Sequence, residues 1–246
     1  MTISLITVTY NAAATVERTL QSVAMQTSGD YEHLIIDGAS SDETLAICRQ
    51  YQTERMTILS EPDKGLYDAM NKGLRLAKGD YVCFLNAGDK LHCAETLEQI
   101  AEAAGKQEAG VVYGYTNIVD GDGRFLYPRR LVPPRKLTWK SFRWGMLVCH
   151  QAFYVNRQIA QQYDLSYRFS ADFDWCIRCM KEGERRGLPN VLVHEPLCDY
   201  LSEGMTTQNH KASLKERFHI MVKHYGWLPT VVMHGWFFIR NFQNKC

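Results

Sequence analysis

The stretch from Glu61 to Asp89, EPDKGLYDAMNKGLRLAKGDYVCFLNAGD, constrains this chain more than any other, because a turn, a helix, an apolar strand and an acidic strand end follow one another without a break. Pro62-Asp63-Lys64-Gly65 is turn chemistry, Leu66, Met70, Leu74 and Ala77 recur at helical spacing, and Gly79 suits a helix stop. Tyr81 to Leu85 is an unbroken apolar run, the pattern of a strand covered on both faces as in a parallel sheet. Ligands of open α/β sheets gather beyond the carboxyl ends of the strands, which makes Asn86, Gly88 and Asp89 a candidate site. A carboxylate there, beside a glycine that lets a ligand approach, is the place for a divalent metal carrying phosphate oxygens.

The same alternation precedes this stretch. Ser4 to Thr9 reads as a strand, Ala14 to Met25 as a helix, and Tyr31 to Asp37 as a second strand. Ser40-Ser41-Asp42 caps a helix that runs to about Glu54, and Met56 to Ser60 is a third strand. Strands that alternate with helices in this way predict an α/β fold with a mostly parallel sheet and helices on both faces. Neither G-x-G-x-x-G nor a Walker loop follows any of these strands, which disfavours an ordinary dinucleotide or P-loop enzyme. The strand ends carry Thr9, Asp37, Asp63 and Asp89 instead, and a carboxylate such as Asp37 can accept hydrogen bonds from a base N–H or a ribose hydroxyl.

Further on, Cys93 to Ala104 is helical in pattern, Gly110 to Tyr115 is a strand, and Asp120-Gly121-Asp122-Gly123 predicts a hairpin turn between Asn117–Val119 and Phe125–Tyr127 rather than a calcium loop. Pro128 to Trp144 is proline-rich and basic, a surface or acceptor-facing loop. Arg157 to Gln162 reads as a helix, Val191–His194 and Cys198–Leu201 as two short strands, and Ser202 to Thr207 as a loop able to fold over a ligand. Ala212 to His224 is an amphipathic helix. Cys176 and Cys179 form an isolated C-x-x-C without a second ligand pair, so they are expected in the core rather than on zinc.

Four ordered motifs, Ser4 to Asn11, Ile35 to Asp42, the stretch ending at Asp89, and Ala171-Asp172-Phe173-Asp174-Trp175, resemble those of the family 2 glycosyltransferases, the inverting nucleotide-sugar enzymes of the GT-A fold. The resemblance covers about residues 1–205 and implies a donor half over about 1–115, an acceptor half over about 116–205 with a small antiparallel region, and a C-terminal helical extension over 206–246. It implies that Thr9, Tyr10, Asn11, Asp37 and Asp63 surround the nucleotide, with Lys64 or Lys72 adding positive charge. Asp89 is then the ligand of Mn²⁺ or Mg²⁺, and Asp172 the general base that accepts a proton from the acceptor hydroxyl. Asn86, His150 and Asp174 fall on the acceptor or donor-sugar side. Two positions depart from the family: Asn86-Ala87-Gly88-Asp89 replaces Asp-x-Asp, and Ala171 stands where a glutamate usually precedes the base. Lys140 to Trp144 ends in the Arg-Trp of processive synthases but lies on the wrong side of Asp172, so single-sugar transfer is expected. UDP is the favoured nucleotide, and the expected acceptor is a bacterial surface glycan or a lipid-linked precursor. The competing readings are a nucleotide-sugar binding protein without catalysis, which the eroded acidic motif suggests, and a nucleotidyltransferase, whose glycine-rich basic amino-terminal signature is absent.

Composition sets the remaining bounds. A net charge of +1 over 246 residues gives no electrostatic case for a nucleic-acid partner. Eight scattered cysteines and no signal-peptide pattern imply reduced thiols in a cytoplasmic protein. Trp227 to Phe242 is too short and interrupted to span a bilayer, and is either a terminal helix packed on the domain or an interfacial helix anchored by Trp227, Trp236, Phe237 and Phe238, with Lys223, Arg240 and Lys245 near headgroups.

Overall fold

Side chains alternate across the first strands, and this alternation divides the core into two layers. Ile6, Val8, Leu34 and Ile36 pack on one face of the sheet, while Ile3, Leu5 and Ile35 pack on the other. The computed structural model describes residues 1–202 and 210–243. Among the described residues nine strands form one mixed sheet: β1 (Ile3–Thr9), β2 (Tyr31–Asp37), β3 (Met56–Ser60), β4 (Tyr81–Phe84), β5 (Lys90–Leu91), β6 (Val111–Val119), β7 (Phe125–Pro128), β8 (Phe153–Asn156) and β9 (Asn190–Leu201). Their order is β3-β2-β1-β4-β8-β6-β9-β5, with β7 paired to β6.

Parallel pairing joins β3, β2, β1 and β4, the α/β half predicted from the strand and helix alternation. Register places Thr9 beside Asp37 and Asp37 beside Ser60, so three polar side chains line up at the carboxyl ends. Antiparallel β8 then couples β4 to β6, and β6 to β7 is the predicted hairpin. Helices α3 (Leu66–Leu76) and α5 (Ala171–Arg185) cover one face. Helices α1 (Val16–Ala24), α2 (Thr44–Gln50) and α4 (Thr96–Gly105) cover the other.

Three local expectations change. Val191 to His194 and Cys198 to Leu201 are parts of one strand, β9, because β6 offers it a long parallel edge and two register irregularities opposite Tyr113 to Thr116 absorb Pro196. Arg157 to Gln162 is not a helix: Asn156 Oδ1 accepts from the Gln158 amide at 3.0 Å, and Arg157 is held to Gly79 and Asp80, so the chain turns there instead. The two-residue strand β5 carries no sequence pattern of its own and forms on the Cys198–Asp199 edge of β9.

The chain ends in α6 (His210–Tyr225) and α7 (Trp227–Gln243). Both meet a 3₁₀ turn, Trp139–Trp144, where the Trp139 and Tyr225 rings stack 5.7 Å apart with planes 2° from parallel. Among the described residues, no helix is long and apolar enough to cross a membrane. The expected covering loop, apart from Ser202, lies outside the described residues, as do Lys245 and the side chains of Phe238 and Arg240.

Candidate active site

The first corner of the site is built by the ends of β1, β2 and β3. Asp37 is fully buried, and its Oδ1 accepts from Thr9 Oγ1 (2.9 Å) and Ser40 Oγ (2.5 Å) while Oδ2 accepts from the Ser40 amide (2.9 Å) and Ser60 Oγ (2.7 Å). Burial raises its pKa, but Ser40, Ser60 and Thr9 together outweigh that and hold the carboxyl below its ordinary value. A carboxylate offers about four acceptor positions, and all four are filled. These bonds also make Asp37 the residue that fixes the loop following β2.

That loop is tied to the one after β1. Asn11 (φ 48°) and Ala39 (φ 62°) both hold left-handed backbone conformations; the Asn11 amide donates to Ser40 Oγ and Asn11 Oδ1 accepts from the Ser41 amide, each at 2.9 Å. Tyr10 projects from this junction, 68% exposed. A Cβ on Gly38 would lie 2.5 Å from Asp63 Oδ2 and 3.4 Å from the Tyr10 ring, so Gly38 permits Tyr10 and Asp63 to converge. Lys64 is exposed beside them. Lys72 is not a free cation: its ammonium sits 2.9 Å from Glu61 and donates to the Pro62 carbonyl at 2.7 Å, which braces the 61–65 turn.

The second corner is the turn from Asn86 to Asp89, closed by the Asp89 amide donating to Asn86 O (3.0 Å) and made possible by Gly88 at φ 100°. Asp89 is 4% exposed; its Oδ2 accepts from Gln151 Nε2 (2.7 Å) and its Oδ1 from the Leu201 amide (2.9 Å). Burial pushes its pKa up to about 7 against the pull of those two bonds and of Arg18. Each Asp89 oxygen accepts one hydrogen bond and keeps one acceptor position, and the Asn86 Oδ1 of the same turn is buried with no partner. Two hard oxygen donors fit a divalent cation whose other ligands come from diphosphate and water. Among the described residues no group of three His, Cys, Asp or Glu side chains forms a fuller cage.

A cleft of about 240 Å³ opens next to this turn, lined by Tyr67 and Met70 of α3, Asn86, His150, Gln151, Asp172, Arg129, Tyr200 and Arg217 among others. Asp172 stands in the first turn of α5 and lines the cleft. Its Oδ1 accepts from Tyr67 Oη at 3.3 Å, and burial together with the Asp172 charge keeps that phenol protonated. Ala171, at the family's glutamate position, is fully buried in the apolar core, a place where a second carboxylate would be desolvated.

His150 is enclosed by aromatic rings: it stacks on Phe84 at 5.1 Å, meets Trp175 edge-on at 5.7 Å, and shares a 2.5 Å hydrogen bond with Tyr163 Oη. Burial lowers its pKa to about 4, so it enters the cleft wall as a neutral ring. Asp174, expected near a sugar, is instead fully buried against Arg178 Nε (2.5 Å), His224 Nε2 (2.8 Å) and Lys223 Nζ (3.2 Å). Burial opposes its ionisation, but His224, Arg178 and Lys223 hold its carboxyl far below the usual range. It joins α5 to α6.

Three cleft residues escaped the sequence reading. Tyr67 lies on the buried face of an expected helix, Arg129 sits in a run of basic surface residues, and Arg217 sits on an amphipathic helix. Arg129 donates to the Leu131, Met146 and Leu147 carbonyls and knits the cleft rim. The Nε of Arg217 is buried without a partner. No local pattern marks any of the three, since only tertiary packing brings them to Asp172.

A half-parallel sheet with a polar corner at β1 to β3, an Asn86–Asp89 turn beside it and a carboxylate at a helix start across the cleft defines the GT-A glycosyltransferase architecture. The Glycosyl transferase family 2 profile matches residues 4–163, and the chain belongs to that family. It is 37% identical over 183 residues to a PGL/p-HBAD biosynthesis glycosyltransferase of Mycobacterium bovis, covering 72% of this chain and 68% of the relative. It is 28% identical over 207 residues to the amylovoran biosynthesis glycosyltransferase AmsB of Erwinia amylovora, covering 78% and 66%. In structure it resembles residues 1–349 of Staphylococcus aureus TarS in complex with UDP-GlcNAc, with a TM-score of 0.71 at 18% identity over 90% of this chain and 64% of that one. It also resembles the mannosyltransferase PcManGT of Pyrobaculum calidifontis in complex with GDP-Man and Mn²⁺, with a TM-score of 0.67 at 18% identity over 94% and 68%. The chain thus spans a little under two thirds of the TarS fragment.

Proposed function

We propose that the protein transfers one sugar from a nucleotide diphosphate sugar to a hydroxyl of a glycan or lipid-linked acceptor, with inversion at the anomeric carbon, in bacterial surface-polysaccharide synthesis on the cytoplasmic side. The observation that carries this reading is Asp172, held by Tyr67 at the mouth of a cleft that also opens on the Asn86–Asp89 turn. UDP is the favoured nucleotide, which the TarS complex supports, while the PcManGT complex supports GDP as the second choice. That both relatives are biosynthetic glycosyltransferases of bacteria supports the acceptor class.

In this reading residues 1–115 hold the donor and 116–205 the acceptor. Tyr10, Asn11, Asp63 and Lys64 meet base and ribose, with Thr9 and Asp37 fixing their loops. A divalent cation, Mn²⁺ or Mg²⁺, would be held by Asn86 Oδ1 and Asp89 with diphosphate oxygens, and would neutralise charge on the leaving group. Arg217 adds positive charge at the cleft. Asp172 takes the acceptor hydroxyl proton as the acceptor oxygen bonds to the anomeric carbon and the bond to the diphosphate breaks. Neutral His150 shapes the sugar side without carrying charge.

Calorimetric titration with UDP and GDP, with and without Mn²⁺, tests the donor pocket, and turnover of Asp172→Asn tests the base. One diphosphate is expected to bind in a metal-dependent way, and Asp172→Asn to retain that affinity while losing about 10²–10⁴ in turnover. Full activity in Asp172→Asn refutes the base. Nucleotide binding without any transfer or donor hydrolysis by the wild type would favour the non-catalytic binder, which the loss of the first acid at Asn86 makes the specific alternative.

A further inference from the structure

We infer that the protein docks on an anionic lipid bilayer through a composite face made by the basic segment 128–144 and helix α7. Helix α7 touches the 3₁₀ turn of that segment, and the end of α6 just before it is fastened there: the Tyr225 hydroxyl donates to the Trp139 carbonyl at 2.7 Å, and their rings stack. On α7, Thr230 and Met233 face the protein, while Trp227, Leu228 and Val232 face solvent at 65%, 68% and 63% exposure. Residues 227–237 contain no Asp, Glu, Lys or Arg, so this helix is apolar on its solvent side as well as on its buried side. Such a helix is normally covered.

Charge says what covers it. Lys140, Arg143 and Trp144 are exposed on the 3₁₀ turn that α7 touches. Segments 128–144 and 210–243 together hold eleven Lys and Arg against the single acid Glu216, leaving seventeen against twenty-six in the rest of the chain. An apolar, tryptophan-bearing face with Lys140 and Arg143 exposed beside it matches acyl chains beneath anionic headgroups. A second copy of the chain would bring the same positive charge against itself, which argues against self-association. Arg129 and Arg217, at the cleft, belong to these two segments, so a docked molecule would present its cleft next to the lipid surface. That last consequence rests on the transferase reading, whereas the docking does not.

Flotation of the full chain with phosphatidylcholine vesicles, with and without phosphatidylglycerol, tests the inference. The wild type is expected to float with the anionic vesicles and to be released by salt. Lys140→Glu with Arg143→Glu should lower that binding by about tenfold or more. Leu228→Ser with Val232→Ser should also weaken it, and all these side chains are exposed, so the thermal midpoint should stay unchanged. UDP affinity of both variants should remain that of the wild type, which separates this test from the donor reading. No binding by the folded wild type, equal binding to neutral vesicles, or a dimer that Leu228→Ser with Val232→Ser dissociates would each overturn the inference.

Discussion

Asp172 and Asp174 stand two residues apart in the same helical turn and have opposite surroundings. Asp172 opens on the cleft, whereas Asp174 is enclosed by Arg178, Lys223 and His224. Removing one partner of a buried ionic group leaves the others uncompensated, so Asp174→Asn should cost about 3–5 kcal/mol in chemical denaturation while leaving donor affinity intact in the folded fraction. Asp89 gives a pH test of the other sign. Its folded pKa, about 7, lies above that of an unfolded aspartate, so the folded state binds the proton more tightly. Its contribution is fully present below the unfolded value and is lost as pH rises toward 7. Thermal melts between acid and neutral pH should show that decline in the wild type without added metal, and Asp89→Asn should flatten it. Sequence showed which positions carry acids at strand and helix ends. It could not show that Asp37 is held by Thr9 and Ser60, that Lys72 pairs with Glu61, or that Asp174 is enclosed by Lys223 and His224, because those partners arrive from other elements.

At the scale of elements, α3 links the sheet to the chemistry, since it packs on β1 and β2 and carries Tyr67 to Asp172. The close approach depends on Gly73, where a Cβ would lie 2.4 Å from Ile6 Cγ2. Gly73→Ala should therefore push the helix off the sheet and lower stability by about 1–2 kcal/mol, the overpacking cost exceeding the gain in helix propensity. Turnover should fall with it, as Tyr67 moves away from Asp172, and a stability equal to wild type would show that Ile6 can yield. The strand and helix alternation up to β4 was legible because each element there carries its own hydrophobic period. The unity of β9 was not, because Glu195-Pro196 interrupts its pattern and only the long edge of β6 carries it through. The missing helix after β8 has the same origin: residues 157–162 have a helical pattern, but side-chain and backbone bonds to Gly79, Asp80 and Asn156 turn the chain first.

The whole molecule is nearly neutral in sum and strongly divided in distribution. Its net charge of +1 combines +10 on segments 128–144 and 210–243 with −9 on the remaining residues. Sequence reading took the small total as the absence of an electrostatic argument, and the division became visible only when stacking of Trp139 on Tyr225 placed the two basic segments side by side. A body charged in this way has a large permanent dipole, and a dipole aligns in a field before contact is made. The molecule should accordingly approach any negatively charged surface in one preferred orientation. A cation-exchange matrix reports that directly: the protein should be retained even above its isoelectric point of about 7.6, where a molecule of evenly spread charge would pass through.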